Sequence, residues 1–149
     1  MKLIVDANII FSGILNSNGK IGDLLINHSK QFDFIAPNFL RAEIIKHRSK
    51  IYKISGFNEI QLEEAEFQIY KGIHFISEEQ IKKSAWLFAQ KMTDDIDPKD
   101  TLYVAFSKHF GCKIWSGDKK LINGLSKKGF TNFINSDELY RLINKKIKK

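Results

Sequence analysis

Acidic residues are the part of this sequence best suited to chemistry. Asp6 closes the apolar run Leu3-Ile4-Val5, Asp97 and Asp100 flank Pro98-Lys99 where a helical segment opens, and Asp118 follows Ser116-Gly117 just past another apolar run. Glu43 lies on an earlier helical stretch. Carboxylates gathered in one crevice repel each other by roughly 4 kcal/mol per pair at about 4 Å and an effective dielectric of ~20. A shared proton or a divalent cation relieves that repulsion, and oxygen-only ligation favours Mg²⁺ or Mn²⁺, which keep waters and bind phosphates. Such an ion makes a hydroxide nucleophile accessible near neutral pH and offsets charge on a phosphoryl oxygen. The expected chemistry is metal-dependent hydrolysis of a phosphate ester, with diester and monoester not separated by these residues alone.

The elements that must position these acids follow from periodicity and capping. Lys2-Leu3-Ile4-Val5 reads as a buried strand, followed by a helix, a turn and a second helix through Leu24-Leu25-Ile26. Phe34-Ile35-Ala36 reads as a strand, Pro37 as an early helix residue, and 38 to about 52 as a helix carrying Glu43. Asn58 with Gln61 forms a capping-box pattern for a helix to Tyr70, and Ile73-His74-Phe75-Ile76 is a third strand. Ser77 with Gln80 suggests a second box, for a helix bearing Ile81, Ala85, Phe88 and Met92. Asp97 as N-cap, with Pro98 at the first position, opens a helix to about Phe110 that stops at Gly111. Cys112 to Trp115 is the fourth strand, 119 to about 125 a short helix, and Thr131 to Ile134 the fifth strand; Ser136 reads as the cap of a final helix. This alternation predicts an α/β fold with a mainly parallel sheet of about five strands and helices on both faces. In such sheets functional groups collect beyond the carboxyl ends of the strands, where Asp6 and Asp118 lie.

A chain of 149 residues with 43% hydrophobic and 28% charged residues matches one globular domain spanning 1–149. Cys112 is the single cysteine, so no internal disulfide forms, and no apolar stretch nears the ~18 residues of a membrane span. With no secretory h-region at the start, a cytoplasmic protein is expected. His28, His47, His74 and His109 lack zinc-ligand spacing, and no nucleophile-elbow pattern occurs. The net charge of +7 is uneven: residues 1–110 balance 14 Lys/Arg against 14 Asp/Glu, whereas residues 111–149 hold 10 against 3. This basic last quarter can draw a polyanion, although Lys145, Lys146, Lys148 and Lys149 read as the solvated tail of a basic C-terminal region from about 136.

Taken together, Leu3-Ile4-Val5-Asp6-Ala7-Asn8, the helix acid Glu43, the run Asp97-Pro98-Lys99-Asp100-Thr101-Leu102-Tyr103-Val104-Ala105 and Ile114-Trp115-Ser116-Gly117-Asp118-Lys119-Lys120-Leu121 resemble the PIN-domain family of ribonucleases, in the family's order from residue 1 to about 140. The resemblance implies a Rossmann-like three-layer sandwich, with Asp6, Glu43, Asp100 and Asp118 matching the family's four acids, Asn8 its supporting polar residue and Ser116 its small hydroxyl residue. It also implies RNA cleavage with Mg²⁺ or Mn²⁺, and many such proteins are toxins of toxin–antitoxin pairs, often dimeric, so an antitoxin partner and a homodimer are expected. On this reading one metal sits between Asp6 and Asp100, Asp118 ligates directly or through water, and Glu43 orients the attacking water. A second metal joins only with substrate. Asp97, otherwise a helix cap, is placed to share the role of Asp100, and Glu59, Glu63 and Glu64 are alternatives to Glu43. Lys119 and Lys120 are candidate phosphate contacts, and Trp115 either stacks a base or belongs to the core.

Two rival readings differ in class. A haloacid-dehalogenase-like phosphatase also begins with a strand and an Asp, but it needs a second Asp where this chain has Asn8 and a further acid where 119–122 offers none. A non-catalytic RNA-binding PIN module would have lost acids, whereas all four matching positions are acidic here.

Overall fold

The computed structural model describes residues 1–147, so Lys148 and Lys149 of the basic tail lie outside the described residues. Strands β1 (Lys2–Val5), β2 (Asp33–Pro37), β3 (Ile73–Ile76), β4 (Lys113–Trp115) and β5 (Phe133–Ile134) form one sheet in the order β3-β2-β1-β4-β5. Every pairing is parallel, with Ile4 opposite Ile35 on one side and Ile114 on the other. Leu3, Ile4, Val5, Ile114 and Trp115 have no exposed surface. Strands covered on both faces need apolar side chains at every position, which is why these read as uninterrupted runs and not as alternating ones.

Helices α1 (Ala7–Leu15), α2 (Lys20–Asn27), α3 (Phe39–Lys46), α4 (Arg48–Ser55), α5 (Glu59–Tyr70), α6 (Lys83–Thr93), α7 (Pro98–Phe110), α8 (Lys119–Ser126) and α9 (Ser136–Ile147) flank the sheet. α1, α2 and α5 pack on one another; α6 and α7 pair, and α7 lies across β1, β2 and β4. Gly13 permits the first grouping, because a Cβ there would sit 3.0 Å from both Ile69 of α5 and Leu25 of α2. Gly111, at φ 63°, ends α7 in the left-handed conformation and turns the chain into β4. Asn58 and Gln61 close the expected capping box of α5. Among the described residues no helix is long and apolar enough to cross a membrane.

Four local expectations are corrected. Pro37 is the last residue of β2, opposite Ile76 of β3. Asn38 N–H bonds Ile76 O, so by alternation the Pro37 nitrogen faces the side where β1 has already stopped pairing, and its missing N–H costs nothing there. The helix expected over 38–52 is two helices, broken at His47, whose ring meets Phe11 of α1 edge-on at 6.0 Å. Ser77 caps only a one-turn 3₁₀ helix, Glu78–Gln80, after which the chain extends through the buried Ile81 before α6 begins. Asn135 and not Ser136 caps α9: Asn135 Oδ1 accepts from Glu138 N–H at 2.8 Å and Glu138 Oε1 from Asn135 N–H at 3.2 Å. Ser136 Oγ instead accepts the indole N–H of Trp115 at 3.1 Å.

Candidate active site

The strand order reverses between β1 and β4, and that is where an open parallel sheet leaves a crevice at its carboxyl edge. Asp6 leaves β1 as the N-cap of α1, its Oδ1 accepting from Ile9 N–H at 2.9 Å. Asp118 leaves β4 and caps α8, accepting from Lys120 N–H and Leu121 N–H at 3.1 and 3.2 Å. Asp97 caps α7, accepting from Lys99 N–H at 3.0 Å, and Asp100 stands in that helix's first turn. Three helices thus begin at one rim, each with a carboxylate as its cap, and their N-terminal dipole ends favour the negative charge collected there. All four aspartates, with Glu43 and Asn8, line a cleft of about 670 Å³.

Ser116, fully buried, ties two of these acids together. Its Oγ accepts from Asp118 N–H at 3.1 Å, and its hydroxyl favours the charged form of the Asp6 carboxyl. Burial pushes the Asp6 carboxyl up to about 6; the Ser116 and Ile9 hydrogen bonds pull against this, while the charge of Asp118 adds to it. Burial, and then the charges of Asp97, Asp118 and Asp6, bring Asp100 to about 6 as well. The repulsion expected of gathered carboxylates is therefore present and unrelieved by any basic partner on these two groups.

Glu43 occupies a different electrostatic corner. Its Oε2 lies 3.7 Å from His47 Nε2 and 3.7 Å from Lys99 Nζ, and both side chains line the cleft. Its helix is held from a distance: Glu78, just after β3, accepts from Phe39 N–H at 2.6 Å and so caps α3. Glu59, Glu63 and Glu64 lie exposed on α5 and do not line the cleft.

The family model for the PIN domain matches residues 4–138 of this sequence. The chain belongs to the PIN-domain family. Its fold is similar to that of a chain in the crystal structure of VapBC2 from Rickettsia felis bound to a DNA fragment from their promoter, with a TM-score of 0.64 and 14% identity over 91% of this chain and 97% of that one. No curated protein sequence matches it. PIN domains are generally nucleases and typically use divalent metals.

In this PIN domain the donor set around Asp6 and Asp100 is all oxygen, and the two raised carboxyls are what a hard cation would relieve. Among the described residues no three His, Cys, Asp or Glu side chains stand close enough to hold one ion together. Asp118 Oδ1 is engaged at the start of α8, and its other oxygen is left to ligate directly or through water. Mg²⁺ commonly takes one or two carboxylates and fills its remaining positions with water, so the residues fit such an ion.

The remaining expected residues separate on inspection. Lys120 lines the cleft, whereas Lys119 lines a shallower groove beyond the shared rim of Asn8 and Asp118. Trp115 is a core residue, fully buried with its ring 5.5 Å from that of Phe34, and is not available to stack a base. Asp94 and Asp95 are both paired to Lys128, and Asp95 reaches the cleft. Tyr103 was legible only as one turn on from Asp100, yet it lines the cleft and is buried. Burial, then the charge of Asp6, hold its phenol well above the usual tyrosine range, so it remains a hydrogen-bond donor among acids.

Proposed function

We propose that this PIN domain is a ribonuclease that hydrolyses phosphodiester bonds with Mg²⁺ or Mn²⁺. The observation that carries the reading is the pair Asp6 and Asp100, far apart in the sequence, meeting in one cleft with both carboxyls displaced upward. Asp6 and Asp100 would hold the metal, with Asp118 ligating directly or through a water and Asp97 beside them as cap and neighbouring charge. When bound, the ion supplies a nucleophilic water near neutral pH and neutralises phosphoryl charge. Ser116 keeps the Asp6 carboxyl oriented, Asn8 and Lys120 line the path of the strand, and Tyr103 offers an O–H to an incoming oxygen. Lys119, in the neighbouring groove, would meet the backbone further along.

The test is cleavage of single-stranded RNA by wild type and by Asp100→Asn in Mg²⁺, Mn²⁺ and EDTA. Activity with either metal, none in EDTA, and a loss of at least about a hundredfold in the variant are expected, corresponding to ~3 kcal/mol of transition-state stabilisation. Equal activity in EDTA sinks the proposal. The absence of a three-carboxylate cluster favours one second reading, a PIN module that binds RNA without cutting it. RNA affinity unchanged by Asp6→Asn, with no cleavage by either form, would select it. The VapBC2 neighbour supports a toxin role with an antitoxin partner, and we extend the proposal to a homodimer; sedimentation of the purified chain tests the latter.

A further inference from the structure

Within the cleft the charges of Asp97, Asp118 and Asp6 all bear on Asp100, while Glu43 is paired with Lys99 and His47. Lys99 comes from the first turn of α7 and His47 from the break between α3 and α4, and both converge on the same oxygen of Glu43. The Glu43 side chain is only 15% exposed, whereas those of Lys99 and His47 are 58% and 40% exposed and so remain open to a ligand. A mostly buried carboxylate that holds an accessible lysine and an accessible imidazole at a cleft wall is arranged to present N–H donors to an anion. Held by both, Glu43 is poorly placed to orient the attacking water, the role read for it from the sequence.

We infer that this corner receives the leaving oxygen of the phosphodiester: His47, oriented by Glu43, is the proton donor to it, and Lys99 offsets the charge of the departing group. The inference rests on the ribonuclease reading and deepens it. In the step, the oxygen of water forms a bond to phosphorus and gives up a proton to solvent. The ester P–O bond breaks with its electron pair remaining on the leaving oxygen, which takes the proton of the imidazolium. Solvent then reprotonates His47, so the net change is addition of one water across the bond. Imidazole is the side chain most often used for such a transfer, which typically contributes about 10²–10⁴ in rate. Glu43 is a positioning residue in this scheme.

The experiment compares a short single-stranded RNA with bis(para-nitrophenyl) phosphate, whose nitrophenolate departs without a proton, using wild type, His47→Gln, Lys99→Met and Asp100→Asn in Mn²⁺. His47→Gln is expected to lose about a hundredfold or more on RNA and less than about tenfold on the aryl ester. Lys99→Met should slow RNA more than the aryl ester by a smaller margin, and Asp100→Asn should lose both. Equal losses on both substrates in His47→Gln overturn the inference and leave the ribonuclease reading standing. A wild type that cleaves neither substrate overturns both. Should His47→Gln melt below the assay temperature, the wild type gives the same test. Its rates on aryl phosphodiesters must fall only shallowly as the leaving group becomes poorer, and a steep fall overturns the inference.

Discussion

Replacing Asp6 by Asn should stabilise the metal-free protein by an amount that grows as pH rises from about 4 to about 6. The carboxyl titrates at about 6 in the fold against 3.8 in its ordinary state. A group that binds its proton more tightly when folded leaves the fold at its best below about pH 4, costs stability as pH rises through 6, and holds the full cost above that. At about 1.4 kcal/mol per tenfold in proton affinity the cost is about 3 kcal/mol. Asn accepts the Ile9 N–H and the Ser116 hydroxyl as Asp does, so those bonds carry over. Losing the negative charge at the start of α1 subtracts up to about 1 kcal/mol. About 2 kcal/mol of net gain remains, or a rise of roughly 4–8 °C in Tm for a chain of this size. Thermal melts in EDTA at pH 7.5 and pH 4.5 read it directly. The gain should be largest at the higher pH and clearly smaller at the lower, where only about a third of the linkage cost has accrued. An Asn variant no more stable than wild type at pH 7.5 refutes the reasoning, and so does a gain of the same size at pH 4.5, which would be a packing effect.

Two further outcomes follow from named contacts. Ser116→Ala removes a hydrogen bond that lowers the Asp6 carboxyl, so the loss of stability with rising pH, followed by melts in EDTA, should shift to higher pH than in wild type; an unchanged profile would mean that the hydroxyl does not engage Asp6. Arg48→Met breaks the 2.8 Å bond that joins α4 to the buried Glu66 of α5, leaving that carboxylate unpaired; a loss of about 3 kcal/mol in urea unfolding is expected, largely restored in Arg48→Met with Glu66→Leu, and a double variant as unstable as the single one would show that packing dominates.

The parts of this fold that are legible in sequence are those whose partners lie within one turn. Asp97-Pro98 and Gly111 delimit α7 because an N-cap bond spans two or three residues and a left-handed stop needs only its own glycine. The box of Asn58 and Gln61 closes for the same reason. The apolar runs of β1 and β2 are readable because burial on both faces leaves no other composition. The misreadings share an opposite cause, since each was decided by a residue far along the chain. Ser77 and Gln80 carry the pattern of a box, but the chain must instead extend so that Ile81 is buried. The break at His47 has no local helix breaker and coincides with contacts to Phe11 and Glu43. Glu78 caps α3 from 39 residues away, and nothing near Phe39 announces it.

The same division runs through the site. Asp6, Asp97, Asp100 and Asp118 were readable because each doubles as a helix cap or a first-turn acid, a local role that fixes where the carboxylate stands. Glu43 has no such local role; its position depends on Glu78 holding α3, and its electrostatics on Lys99 from α7. Tyr103 and His47 reach the cleft only because α7 lies across the sheet centre and α3 stops where it does. A carboxylate that caps a helix is fixed by a few neighbouring residues, so substituting it should disturb one helix end and one charge. A corner assembled from three distant elements has no such independence. Perturbations at Glu43, Lys99 and His47 should therefore be strongly non-additive with one another, and nearly additive with those at Asp118.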